Sequence, residues 1–245
     1  MANPWDRYVT ERDRAVIEAG GWGGDMGFPR RPAVLVIDVT VGFCGLGPES
    51  ADLASRRFPT SCGEAAWAAL PRIEEILGAA RSRGVPIIYT AGRWRPDGWD
   101  HGAWRWKQRR DKGVAPPGEG DDIDPEQIMP QIAPEPQDIV IFKPKPSAFF
   151  GTNLVGYLNL LGCDGLVLIG CSSSGCIRAT AVDASSHNYR VTVAHDACFD
   201  RFDVSHAIAM FDLHVKYADV KLAADVVAYL QAVPANQYPN APSGA

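Results

Sequence analysis

The chain has 245 residues and a mass of 26.5 kDa, with 46% hydrophobic and 22% charged residues, an ordinary globular composition long enough to bury a core without staples. A formal charge of −5 and a pI near 5.5, with Lys and Arg dispersed, exclude the basic face that nucleic acid or an anionic membrane requires, so neither partner is expected. The N-terminal MANPWDRYVTERDRAV lacks the apolar run of a signal peptide, and no stretch approaches the roughly 18 apolar residues of a membrane span, so the expected location is cytoplasmic.

Residues 1–29 read as a helical arm ahead of the core. The first strand is predicted over 33–38 (AVLVID), a helix over 63–82, and a second strand over 85–91 (VPIIYTA). The stretch 92–132 then breaks the rhythm with Trp, Gly, Pro and charge. Trp94, Trp99, Trp104 and Trp106 favour an ordered, packed insertion there, because such rings lose too much if left in water. It serves either as a subunit interface or sheet cover, or as a pocket lining. Strands follow at 138–142 (DIVIF), 165–170 (GLVLIG) and 190–196 (RVTVAHD), separated by helices at 152–161 and 174–188, and two last helices cover 204–217 and 222–230. The tail, 234–245, has the composition of a poorly ordered end. Runs apolar throughout suit strands buried on both faces, and their alternation with helices marks a single α/β domain: a three-layer, Rossmann-like open parallel sheet with its core at about 30–232.

Six cysteines, Cys44, Cys62, Cys163, Cys171, Cys176 and Cys198, form no CxxC pair and are too few for a disulfide scaffold. Free, mostly buried thiols are therefore expected. In an open α/β sheet, ligands gather beyond the carboxyl ends of the strands, which directs attention to Asp38 after AVLVI, Lys143 after DIVIF and Cys176 after LVLIGCSSSG. Cys176 is placed at the first turn of a helix, where outward N–H groups and the helix dipole favour a thiolate. A serine nucleophile fits poorly because Ser174 occupies the place of the second Gly in GxSxG, and no GxGxxG fingerprint is present.

The segments RPAVLVIDVTVGF, IFKPKPSAFFGTNL, IGCSSSGCIRATAVDA and HDACFDR together resemble the isochorismatase-like cysteine hydrolases, most closely the N-carbamoylsarcosine amidohydrolase branch, over about residues 8–230. The resemblance implies a catalytic triad of Asp38, Lys143 and Cys176, Lys143 being chosen over Lys145 by its spacing from Ser147-Ala148-Phe149. It implies an oxyanion hole from the backbone N–H groups of Ser172 and Cys176, reached through a cis bond between Cys171 and Ser172. It also implies that Arg201 grips a substrate carboxylate, for which a guanidinium fork is suited, with Phe43 in the pocket wall. Phe149 and the insertion tryptophans are candidates for the same wall, with plain core packing as the other reading of each. A surface ion pair of Arg201 with Asp196, Asp200 or Asp203 is the structural alternative.

The implied activity is hydrolysis of the C–N bond of a small carbamoyl or amide compound bearing a carboxylate, with release of ammonia. Alternatives are a maleamate-type or lactam hydrolase, or a catalytically silent binding member of the fold. No cofactor is expected. No metal is expected either, because TAGRWRPDGWDH holds no Asp-x-His motif and His101, His187, His195, His206 and His214 are scattered, reading as satisfied structural side chains. Relatives of this kind imply a homo-oligomer, a dimer or tetramer. Residues 49–61 match nothing in the pattern.

Overall fold

A computed structural model describes residues 3–95, 97–107 and 123–242. Its elements run α1 (Glu11–Gly20), β1 (Pro32–Ile37), α2 (Val41–Cys44), α3 (Ala51–Arg57), α4 (Glu64–Ser82), β2 (Ile87–Ala91), α5 (Ala103–Lys107), β3 (Ile139–Phe142), α6 (Leu154–Leu161), β4 (Gly165–Cys171), α7 (Arg178–Ser186), β5 (Arg190–Phe199), α8 (Asp203–Lys216), β6 (Asp219–Lys221) and α9 (Ala223–Ala232). The strands form one six-stranded sheet of order β3-β2-β1-β4-β5-β6, with every pairing parallel.

The apolar runs become strands because both of their faces are covered. Val34 and Val36 of β1, with Val167 and Ile169 of β4, point into a core shared with α4 and α9. Ala33, Leu35 and Ile37, with Leu166 and Leu168, point the other way into a core shared with α6, α7 and α8. Successive residues of a strand face opposite sides, so a sheet sandwiched by helices needs apolar residues at every position. In α4, residues Ala66, Ala69, Leu70, Ile73, Ile76, Leu77 and Ala80 bury one helical stripe on the first core.

The chain leaves β1 toward β2 on one side and returns through β4 on the other. The carboxyl ends of β1 and β4 therefore flank the point where the strand order reverses, the ligand crevice of an open α/β sheet. Gly170, at φ 110°, permits that close approach, since a Cβ there would collide with the Ile37 carbonyl and Val39.

Three expectations need correction. The tail is not loose as far as it is described: Tyr238 is 7% exposed, and its hydroxyl donates to Pro32 O at 2.7 Å. The insertion is packed only in part. Trp94 stacks edgewise on His101 (4.7 Å) and Trp104 (5.5 Å), whereas Trp99 and Trp106 are 74% and 87% exposed, and residues 108–122 lie outside the described residues. Helix α7 begins at Arg178, because residues Ser173–Ile177 form a wider π-turn ahead of it. Four elements were also missed: the short α2 and α5, of four and five residues, together with α3 and β6. β6 is three residues long, too short for a periodic signal, and α3 lies within the unmatched 49–61. The N-terminal arm is anchored by Trp5, stacked on His214 at 5.2 Å, and by Met26 and Gly27 amides bonded to Asp219 (2.9 and 2.8 Å). No helix among the described residues is long and apolar enough to cross a membrane.

Candidate active site

Asp38 stands one residue past β1 at φ 51°, in the left-handed region that Asp tolerates better than most residues. Thr90, near the end of the neighbouring β2, holds it there. The Thr90 hydroxyl accepts from the Asp38 amide at 3.2 Å and donates to Oδ1 at 2.8 Å. The second carboxylate oxygen meets Lys143 Nζ at 2.7 Å, with the two side chains 6% and 4% exposed. Lys143 follows β3, whose register is fixed by a bond from its amide to Ala91 O at 3.0 Å. Its ammonium also donates to Lys145 O (3.2 Å) and reaches Cys176 Sγ (3.4 Å), so its three protons have three partners.

Cys176 lies in the π-turn after β4, where Gly175 N and Ile177 N both donate to Ser172 O at 2.9 and 3.1 Å. Its thiol is within hydrogen-bonding reach of Asp38 as well as Lys143. The Cys171–Ser172 peptide bond is cis. The resting charge state differs from the thiolate expected at a helix N-terminus. Burial, and after it the Asp38 charge, push the thiol up to about 12 against the opposing pull of Lys143. Burial also pulls Lys143 down, but Asp38 and Cys176 outweigh it and leave the ammonium above its ordinary value. The resting arrangement is thus a buried carboxylate–ammonium pair with a protonated thiol beside it, competent for a proton transfer that accompanies nucleophilic attack.

Arg201 comes to this end of the sheet from beyond β5. Its Nη2 donates to Thr60 O at 2.7 Å, its guanidinium carbon lies 5.9 Å from the Phe43 ring centroid, and its Nη1 is 4.0 Å from Asp200 Oδ1. Nε is buried without a partner. The ion-pair alternative is therefore met only at the margin by Asp200, while Asp196 accepts from the Ala223 amide (2.7 Å) at the start of α9.

Residues 32–225 match the Isochorismatase domain model. The chain belongs to the isochorismatase family. It is 34% identical over 213 residues to the maleamate amidohydrolase of Pseudomonas putida, covering 86% of this chain and 92% of that protein. It is 30% identical over 229 residues to the N-carbamoylsarcosine amidase of an Arthrobacter species, covering 91% and 80%. The crystal structure of N-carbamoylsarcosine amidase from Thermoplasma acidophilum superposes with a TM-score of 0.60 at 27% identity, covering 79% of this chain and 96% of that one.

In this isochorismatase-family chain the fold brings Asp38, Lys143 and Cys176 together, with Phe43 and Arg201 beside each other on the same end of the sheet. Phe149 does not join them. Its ring stacks on His187 at 5.2 Å and packs against Tyr189 at 6.1 Å. The loop after β3 is pinned to α7 by Ala148 N donating to Thr180 Oγ1 (3.0 Å), which turns Phe149 into the core beneath α7 rather than into a pocket wall. Of the histidines, His206 Nδ1 pairs with Ser173 Oγ at 2.7 Å, but His214 Nδ1 is buried without a partner, so that side chain is not satisfied as expected. No group of three or more His, Cys, Asp or Glu among the described residues is arranged to hold a metal ion.

Several residues of the site went unread in the sequence. Thr90 was legible only as one polar residue in an apolar strand. Glu126, in the insertion, accepts from the Gly92 amide at 2.7 Å and from the Trp94 ring N–H. Burial, and after it Asp38, hold its carboxyl above the ordinary value despite those bonds. Its segment is clipped to the loop after Asp38 by Val41 N to Gln127 O (2.9 Å) and Gly42 N to Pro125 O (2.7 Å). Lys145 reaches the insertion from the other side, donating to Asp100 O at 3.1 Å. Thr60, in the unmatched stretch after α3, supplies the carbonyl that holds Arg201.

Proposed function

We propose that the protein is a cysteine-dependent amidohydrolase that cleaves the C–N bond of a small carbamoyl or amide substrate bearing a carboxylate, with N-carbamoylsarcosine as the reference compound. The observation that carries this reading is the meeting of Cys176 Sγ, Lys143 Nζ and the Asp38 carboxylate in one buried cluster at the strand switch point. Their family membership and the two amidohydrolase relatives support it.

With the thiol held near 12, a free thiolate at pH 7 costs about 7 kcal/mol. Asp38 therefore takes the proton as Sγ adds to the carbonyl carbon. The oxyanion is received by the amide N–H groups of Ser172 and Cys176. Collapse breaks the C–N bond, and the nitrogen leaves as ammonia with the proton that Asp38 returns. Water, deprotonated by Asp38, then hydrolyses the acyl-thioester and restores the thiol. Lys143, 2.7 Å from Oδ2, holds the Asp38 side chain in position through these transfers. Arg201, with its free Nε, binds the carboxylate against Phe43.

Maleamate is the second reading, favoured by the 34% identity to the maleamate amidohydrolase, and it too presents an amide and a carboxylate. An ammonia-release assay over N-carbamoyl amino acids, maleamate and nicotinamide, run beside Cys176→Ala, tests the proposal. Release from a carboxylate-bearing amide that is abolished in C176A supports it. No release from any of them, with no thiol-directed labelling of Cys176, favours a silent binding protein. A homo-oligomer, dimer or tetramer, belongs to the same proposal and is read by light scattering.

A further inference from the structure

Asp200, one residue beyond β5 and 4% exposed, has both carboxylate oxygens committed to the site. Oδ2 accepts from the amide and the hydroxyl of Ser174 at 2.9 and 2.7 Å. Oδ1 accepts from the Arg201 amide at 2.9 Å and stands 4.0 Å from Arg201 Nη1. Ser174 belongs to the Ser173–Ile177 turn that carries Cys176. One buried carboxylate thus joins the turn bearing the thiol to the residue bearing the guanidinium. A second tie on the same turn, Ser173 Oγ to His206 Nδ1 at 2.7 Å, runs to α8 and touches no part of Arg201.

We propose that Asp200 is a positioning residue that holds the Cys176 turn and the Arg201 backbone in one register, and so selects compact substrates whose carboxylate, gripped by the Arg201 side chain, lies at a fixed distance from the reacting carbon. The inference rests on the reading of Cys176 as nucleophile and Arg201 as carboxylate ligand. Charge-assisted bonds to backbone amides are short and directional, and reaction rates are sensitive to misplacements of an ångström or less. A carboxylate with both oxygens engaged transmits any displacement of one partner to the other.

Alkylation of Cys176 by iodoacetate and by iodoacetamide, quantified by peptide mass spectrometry, reads this register without a known substrate. Both reagents deliver the same methylene carbon to sulfur with loss of iodide, but only one has an anionic end. The ratio of the iodoacetate to the iodoacetamide rate at Cys176 is expected to exceed the ratio for glutathione. Asp200→Asn should lower it by roughly tenfold. Ser174→Ala, at an exposed position and losing one of the two bonds on Oδ2, should lower it in the same direction by less. His206→Gln should change both rates by the same factor and leave the ratio alone. A wild-type ratio equal to that of glutathione contradicts the carboxylate role of Arg201 itself. A wild-type preference that survives in a cooperatively folded D200N protein overturns the positioning role alone, and if D200N does not fold, an unchanged ratio in S174A does the same.

Discussion

Replacing Asp38 with Asn separates charge from shape. Asn tolerates φ 51° as well as Asp does, so the backbone beyond β1 is preserved and the Thr90 hydroxyl can still donate to the side-chain oxygen. What changes is the contact with Lys143, whose 4% exposed ammonium lies 2.7 Å from the carboxylate and would face an amide instead. Removing one partner of a buried ion pair costs about 3–5 kcal/mol. At about 2 °C per kcal/mol for a chain of this length, Tm should fall by about 6–10 °C. The catalytic loss should be larger, because the thiol near 12 keeps its proton when its acceptor is gone. A positioned general base is worth roughly 10²–10⁴, so kcat should drop at least about 100-fold with KM little changed. Ammonia release at saturating substrate and a calorimetric melt measure the two effects. A D38N enzyme within about tenfold of wild-type kcat would refute Asp38 as the base, and an unchanged melt would refute the energetic importance of the buried pair.

Thr90→Val removes the donor to Asp38 Oδ1 and should cost about 1–3 kcal/mol of stability together with about tenfold in kcat; wild-type kcat would show that Asp38 needs no such support. Arg201→Lys replaces a planar fork by a point charge, so KM for a carboxylate-bearing substrate should rise about tenfold with kcat within a few-fold, and an unchanged KM would remove Arg201 from the binding site. Stability should fall steeply above about pH 8.5. Burial raises Cys44, Cys163, Cys171, Cys176 and Cys198, while unfolded thiols ionise near 8.5. Above that pH the folded chain holds more protons than the unfolded one, so each thiol removes up to about 1.4 kcal/mol per pH unit. Lys143, also raised, acts in the same direction above about 10.4. Denaturant midpoints at pH 8, 9 and 10 check the slope, and a flat profile to pH 10 would contradict it.

The sheet was legible because double-sided burial leaves a mark that needs no partner: every residue of Pro32–Ile37 and Gly165–Cys171 is buried. β6 left no such mark in three residues that include Asp219 and Lys221. Asp38 and Cys176 could be found as chemistry placed at strand ends. Lys143 could not be separated from Lys145 by residue type alone, and the family spacing was needed to choose it. The π-turn escaped because its five residues read like an ordinary helix start. Thr90, Glu126, Thr60 and Asp200 act through another residue's atoms, over separations that no local pattern encodes. The choice between core and pocket wall for Phe149 was closed to sequence reasoning for the same reason. Its position in the motif is close to Lys143, but the bond from Ala148 N to Thr180 turns its ring toward α7.

The central claim, that Cys176 forms the covalent intermediate, is tested most directly by acid-quenching the enzyme during turnover of a carboxylate-bearing amide and mapping its mass by peptide. An acyl adduct confined to the Cys176 peptide, absent in Cys176→Ala and vanishing once substrate is exhausted, is the expected result. Sustained ammonia release by C176A, or turnover with no adduct on Cys176 while another residue is acylated, would contradict it.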